Sequence, residues 1–137
     1  MTFSIADTPG ASGFLVKAQL WTSQTANVAA YRLYLFTVPE TSLTVPADNA
    51  AYTTLYAERS YLLGYLDFPA VADATGAGSS TTAISQVIAL SMPFYTRGVP
   101  GYGSTKDMKI YGVLVTETTF TPDSAQTYCV ELVADVY

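Results

Sequence analysis

The side chains of this protein that could do chemistry are almost all carboxylates. Its 137 residues include 11 aspartates and glutamates and one cysteine, but no histidine. Histidine is the side chain that most readily gains or loses a proton near neutral pH. Without it, Ser-His-Asp and Cys-His catalytic groups and histidine-bearing zinc sites cannot form. The residue types therefore favour a structural or binding domain over an enzyme.

Two arrangements of carboxylates could still act without histidine. A pair of acids drives glycoside hydrolysis, and Glu117 with Asp123 is one candidate pair. A calcium site could use Asp48, Asn49 or Asp73, but it would need several more converging oxygen atoms. Solvated acids on strands and turns are the simpler interpretation of both groups. We expect no catalytic residue, no metal site and no cofactor.

A glycine-rich segment has some features of a phosphate-binding loop. Residues 101–106 read GYGSTK, but they lack the required upstream glycine spacing and precede a predicted strand instead of a helix. The longer loop over 93–107 is interpreted as a flexible contact arm, with a plain surface loop as the alternative. Its anchors would be Phe94, Tyr95, Arg97 and Tyr102.

Aromatic residues are the other group with binding chemistry. Trp21 ends a predicted strand, and Tyr52, Tyr56 and Tyr61 lie close together in the sequence. Such side chains can bind sugars or peptides, although they more often fill a core or an oligomer interface. Charged residues make up only 12% of the chain, while 11 residues are tyrosine. This composition is typical of a subunit in an assembly, and half-buried strand tyrosines are the alternative.

Charge and hydropathy argue against two kinds of partner. The net charge is −5 and no basic stripe is present, which argues against nucleic-acid binding. No apolar run approaches the ~18 residues of a membrane-spanning helix. The N-terminal sequence MTFSIAD lacks the basic residues and apolar core of a signal peptide, so we expect synthesis in the cytoplasm without export.

The elements that position these residues are predicted to be β-strands. Hydrophobic residues alternate along almost the whole chain, and no long helical pattern occurs. This predicts an all-β fold: an antiparallel β-sandwich, jelly-roll-like, with about seven to eight strands. At most one short helical turn is expected, within 50–59, with Asp48 or Asn49 as its N-cap. Strands are predicted over 13–21, 28–37, 60–68, 81–92, 108–118 and 127–137.

Three details of these strands carry specific expectations. In the first strand, strict alternation would place Phe14 on the same face as Ala18 and Leu20. Gly64 is expected at a bulge or at a close crossing of two strands. Cys129, the single cysteine, is expected to be a small buried hydrophobic residue.

Several short segments occur in a recognisable order. Two early strands read AQLWTSQTANVAAYRLYLFT, and the segments PADNAAY, LLGYLDF and MPF follow. The chain ends with KIYGVLVTETTFTPDSAQTYCVELVADVY. In this order and spacing, which cover most of residues 13–137, the chain resembles the small head-decoration (cement) or minor structural proteins of tailed-bacteriophage virions.

The resemblance implies a β-sandwich subunit without enzyme activity, located on the virion. It would bind the major capsid protein on the outer head surface, bridge capsomers and stabilise the capsid, without nucleic acid or membrane. A homotrimer is favoured and a dimer is the alternative. Residues 1–12 would form an extended N-terminal arm that contacts the capsid or a neighbouring subunit, unless they are a frayed terminus, and residues 13–137 a single domain. The candidate interface residues are Phe3, Ile5, Trp21, Tyr34, Phe94, Tyr95, Arg97 and Tyr102.

Two other functions stay open at this point. The chain could be a tail, fibre or adaptor component of the virion with the same fold. It could also be a carbohydrate-binding or receptor-binding sandwich, for which Trp21 and the tyrosines would have to line one concave face.

Overall fold

The computed structural model describes residues 1–6, 10–23, 29–45, 52–70, 72–73, 83–96, 109–117 and 126–137. These residues form eight strands and two short 3-10 turns, Glu40–Ser42 and Tyr56–Glu58. The strands are β1 (Thr2–Ser4), β2 (Ser12–Thr22), β3 (Tyr31–Phe36), β4 (Leu62–Phe68), β5 (Ala72–Asp73), β6 (Ala83–Tyr95), β7 (Lys109–Thr116) and β8 (Tyr128–Val136). Within these ranges, no helix has the length and hydropathy needed to cross a membrane.

The strands form two four-stranded antiparallel sheets. Sheet I has the order β1-β7-β3-β4, and sheet II has the order β5-β6-β2-β8. Buried side chains from both sheets belong to one hydrophobic cluster, so the sheets pack face to face. Large buried members of this cluster are Leu15, Leu20, Tyr31, Leu33, Leu35, Phe68 and Ile110. The predicted all-β sandwich is confirmed.

A bulge in β2 changes which residues face the core. The register shifts between Leu15 and Lys17: against β8, Val16 is an extra residue of β2, whereas against β6 the extra residues lie on β6. Leu15 and Ala18 are both buried, whereas Phe14 is exposed. The expectation that Phe14 shares a face with Ala18 is therefore wrong, because one extra residue reverses the alternation.

The first residues belong to the sandwich itself. β1 pairs with β7, and the N-terminal ammonium of Met1 donates a 2.8 Å hydrogen bond to the carbonyl oxygen of Gly112. Phe3 and Ile5 pack against the core of the same chain. The segment expected as an arm over 1–12 therefore begins as an edge strand, with its apolar side chains directed at their own core in place of a partner.

The expected helical turn within 50–59 is present as the 3-10 turn Tyr56–Glu58. Leu55 occupies its N-cap position, so the turn begins too late in the sequence for the expected caps. Those caps, Asp48 and Asn49, lie outside the described residues.

Glu58 connects this turn to a distant loop. Its side chain is buried, at 5% exposure, although it is ionisable. The carboxylate accepts hydrogen bonds from the backbone N–H groups of Thr44, at 2.6 Å, and of Leu55, at 3.4 Å. A buried carboxylate needs such donors to replace water. Glu58 therefore holds the two segments together.

Gly64 lies beside a bulge in β4, as expected. The register between β3 and β4 shifts after the Leu35–Gly64 pair, and Leu63 is the extra residue. Gly64 has a φ angle of +152°, and a Cβ atom at this position would lie 2.5 Å from Cε of Met92 in β6. The glycine thus allows the close approach of two strands from different sheets.

Two expectations about individual residues are wrong. β6 extends to Tyr95, so the loop predicted over 93–107 begins later, and Phe94 is a core residue at 3% exposure. Phe94 cannot serve as a surface anchor, because alternation in the extended strand turns it inward. Cys129 is exposed on β8 for the same reason: its neighbour Tyr128 packs against the core.

Candidate binding surfaces

Three aromatic rings, which we call the tyrosine face, lie on the outer side of sheet I. They belong to Tyr34, Tyr52 and Tyr65. Tyr34 alternates with the buried Leu33 and Leu35, and it pairs in register with Tyr65. The ring centroids of Tyr34 and Tyr52 are 4.9 Å apart, and those of Tyr34 and Tyr65 are 5.9 Å apart. The three rings therefore pack as one cluster.

An ion-pair cluster borders the tyrosine face. Arg32 donates from Nε to Oδ1 of Asp67 at 2.6 Å and from Nη2 to Oδ2 at 3.1 Å. Oε1 of Glu117 lies 3.5 Å from the same Nε, and the guanidinium carbon lies 4.3 Å from the ring centroid of Tyr65. The hydrogen bond to Asp67 raises the pKa of Arg32 above its ordinary value. The guanidinium thus fixes the positions of two acids and one ring.

The rings of the tyrosine face do not lie in one plane. The planes of the paired rings are inclined by 54° and 53°, so they do not form a flat platform. Tyrosine hydroxyls are uncharged at neutral pH, and burial raises the pKa of Tyr52 further. The result is a preformed, largely uncharged aromatic surface with one ion-paired rim.

A second exposed apolar group, the sheet II patch, lies on the opposite side of the sandwich. Its members are Phe14, Pro93, Tyr95, Val133 and Tyr137, all of them exposed. Phe14 is in register with Pro93, and its ring meets that of Tyr137 edge-on at a centroid distance of 6.0 Å. These residues alternate with inward-facing ones along β2, β6 and β8, so they face away from the core.

The structure separates the predicted interface residues. Tyr34 lies in the tyrosine face and Tyr95 in the sheet II patch. Phe3 and Ile5 pack against the core, and Phe94 is part of it. The two surfaces that carry Tyr34 and Tyr95 are on opposite sides of the molecule.

The remaining predicted residues do not lie together. Trp21 is half-buried on the outer side of sheet II, in register with Cys129. Arg97 and Tyr102 lie outside the described residues. Trp21 and the tyrosine face are therefore on opposite sides of the sandwich. Within the described ranges they do not line one concave face, which was the arrangement required for a glycan-binding cleft.

In the described part of the chain, the carboxylates of Asp67 and Glu117 meet at Arg32. Glu117 lies beside Arg32, and its suggested partner Asp123 is outside the described residues. Among the residues that are described, no three cysteine or acidic side chains come together closely enough to hold a metal ion.

The sequence reasoning missed Arg32, Tyr65 and Asp67. A signal for them exists in two strands, YRLYLF and LLGYLDF. Pairing them antiparallel places Tyr34 opposite Tyr65 and Arg32 opposite Asp67, which are favourable cross-strand pairs. Two aromatic residues and two opposite charges matched at the same register indicate both the pairing and the cluster.

Comparison of the chain with protein-family models, with curated proteins and with solved structures finds no match.

Proposed function

We propose that the chain is a virion structural protein, a decoration or cement subunit that binds the outer surface of a phage head. The observation that carries this proposal is the pair of aromatic surfaces on opposite sides of one sandwich: the tyrosine face, where Tyr65 is exposed beside two half-buried rings, and the exposed sheet II patch. A subunit that bridges neighbours needs two contact surfaces that do not compete for the same space. The sequence resemblance described above supports the choice of a phage head as the partner.

The chemistry of the two surfaces fits repeated, individually modest contacts. Tyrosine offers a large contact area and loses little side-chain entropy on binding. A stable interface buries roughly 800 Å² per partner, but a subunit held at two places can use smaller contacts through their combined effect. In this proposal one surface binds the major capsid protein, and the other binds a second copy of the chain in a trimer or a dimer.

The proposal is tested with heads that lack the protein. Purified chain is added to expanded heads, and bound copies are counted after sedimentation. Tyr65→Ser removes a ring from the tyrosine face, and Tyr137→Ser removes one from the sheet II patch. Tyr56→Ser is the matched control, because Tyr56 is 79% exposed and Tyr137 is 82% exposed, but Tyr56 belongs to neither surface.

Saturable binding of the unmodified chain is expected, at a copy number set by the capsid lattice. Each of the two surface variants should weaken head binding or self-association about tenfold, while Tyr56→Ser changes neither. Failure to bind heads, together with binding to tails, would replace the head by another virion part. Equal losses in all three variants would show that the two surfaces have no special role.

A further inference from the structure

The outer edge of β8 carries backbone groups that point away from the sandwich. β8 is the last strand of sheet II, and no other strand of the described residues pairs with its outer edge. Tyr137 donates its N–H to Ser12, and Thr127 accepts from the N–H of Ser23. Odd-numbered residues of β8 thus bond to β2. Because bonding alternates in an antiparallel ladder, the backbone groups of Val130, Leu132 and Ala134 point outward.

The core beneath this edge is incompletely covered. Val130, Leu132 and Ala134 turn their side chains inward, yet all three are only half-buried. β4, which is the edge strand of sheet I, provides a direct comparison. Its inward residues Leu66 and Phe68 are 3% and 1% exposed. Leu63 of β4 also packs against the core and is half-buried, so β4 is fully covered only at Leu66 and Phe68, whereas β8 is half-buried at all three inward positions.

Two acidic side chains lie on the outer face of β8. Glu131 and Asp135 are exposed on either side of the exposed Val133, and β8 contains no lysine or arginine. Lys17 of β2 is in register with Val133, but no ion pair among the described residues holds either acid. Two exposed carboxylates four residues apart, without an ion pair among the described residues, are complemented by two cations at the same spacing on a neighbouring strand.

We propose that the edge of β8 binds an extended segment of a partner protein as an additional antiparallel strand. The segment carries the pattern basic-apolar-apolar-apolar-basic. Its two cations lie opposite Glu131 and Asp135, its central residue lies opposite Val133, and the other two apolar residues cover Leu132 and Ala134. Backbone hydrogen bonds supply affinity and the alternating side chains supply specificity.

A second copy of β8 does not meet these requirements. Antiparallel pairing centred on Val133 would place Glu131 of one copy opposite Asp135 of the other, and like charges in that position repel. The inference goes beyond the proposed function, because it uses the backbone edge of β8, which meets the sheet II patch only at Val133, and it does not depend on the partner being a capsid protein.

The test uses a blocked synthetic peptide with the central sequence Lys-Val-Ile-Val-Lys between polar residues. The control peptide has the same composition, with the central sequence Val-Lys-Ile-Lys-Val, which turns both cations toward the core. Binding is followed by amide hydrogen exchange of the full chain. We expect slower exchange at Val130, Leu132 and Ala134 with the first peptide, and no change with the control.

Two variants separate the charges from the backbone. The double variant Glu131→Lys/Asp135→Lys should bind the basic peptide about tenfold more weakly and should bind a peptide with glutamates in place of the lysines. Ala134→Pro removes one outward N–H while keeping a small side chain, and it should also weaken binding.

The proposal is overturned if neither peptide protects the outward amides at millimolar concentration, or if both protect them equally. It is also overturned if the double lysine variant keeps its preference for the basic peptide. Should Ala134→Pro fail to fold, the lysine variant decides the question alone. None of these outcomes bears on whether the chain binds phage heads.

Discussion

The ring of Phe3 lies over Gly112 of the neighbouring strand. A Cβ atom at Gly112 would come within 2.9 Å of Cε2 of Phe3 and within 2.9 Å of Cδ1 of Leu33. The absence of a side chain at Gly112 is thus what allows β1 to dock its one large apolar side chain against the core. Together with the pairing of β1 and β7, this contact joins the N-terminal residues to the sandwich.

Gly112→Ala is therefore expected to destabilise the fold by about 1–3 kcal/mol, because the added methyl group displaces Phe3 or Leu33. Urea unfolding of the single variants Gly112→Ala and Phe3→Ala and of the double variant measures the coupling. The double variant should lose less stability than the sum of the two single losses, since Phe3→Ala removes one side of the clash. Strict additivity would mean that Phe3 does not occupy this position.

The bulge in β2 predicts unequal effects at two adjacent residues. Leu15 is fully buried, so Leu15→Ala should cost about 2–5 kcal/mol of unfolding free energy. Phe14→Ala should cost less than about 1 kcal/mol, although it removes the larger side chain, because Phe14 is exposed on the sheet II patch. Thermal or urea unfolding of both variants measures this difference. A larger loss for Phe14→Ala than for Leu15→Ala would mean that Phe14, and not Leu15, faces the core, as strict alternation predicts.

Replacing Glu58 by glutamine, which has the same shape but no charge, should lower the unfolding free energy. Glu58→Gln replaces one of the two acceptor oxygens by a donor NH2 group. One of the two N–H groups, that of Thr44 or that of Leu55, then loses its acceptor. We expect a loss of about 1–3 kcal/mol in the unfolding free energy. Glu40→Gln is the control, because the Glu40 side chain is exposed and its one ion pair with a described residue is long, at 3.9 Å. Similar losses in both variants would contradict the bridging role of Glu58.

The environment of Tyr52 predicts a dependence of stability on alkaline pH. Burial raises its pKa in the folded state, whereas tyrosine in the unfolded chain titrates near about 10. The folded state then keeps the proton at pH values where the unfolded chain releases it. This contribution to stability is complete below the unfolded pKa and is lost as the pH rises through the folded pKa.

Urea unfolding from neutral pH to about pH 11 measures this effect. Tyr52→Phe should lose less stability over the alkaline part of the range than the unmodified chain. Tyr56→Phe, at an exposed position, should behave like the unmodified chain. Identical alkaline slopes for Tyr52→Phe and the unmodified chain would contradict the buried environment of the Tyr52 hydroxyl.

Much of the fold could be predicted because hydrophobic and other residues alternate visibly along long strands. Each of the six predicted strands is present, and β8 shows the pattern most clearly. β1 and β5 have three and two residues, too few for alternation to be visible, and they fell in segments expected as an arm and a loop. The sequence pattern also does not reveal the bulge at Val16. A bulge has no residue type of its own here, yet it moves Phe14 to the face opposite Ala18.

The binding surfaces were less predictable than the fold. Tyr34 and Tyr95 were identified individually as contact residues, but the sequence pattern alone could not place them on opposite sides of the sandwich. That separation depends on which strands share a sheet, and strand order is fixed by contacts between residues far apart in the chain. Arg32 and Asp67 are 35 residues apart and meet only through the pairing of β3 and β4.

The central claim is that this chain acts by binding neighbours through both outer faces of its sandwich. A density map of the intact virion tests it most directly. We expect the sandwich on the outside of the head, with the tyrosine face covered by one neighbouring polypeptide and the sheet II patch by another. A map in which the chain is absent from the virion, or sits there with both faces in solvent, would contradict the account.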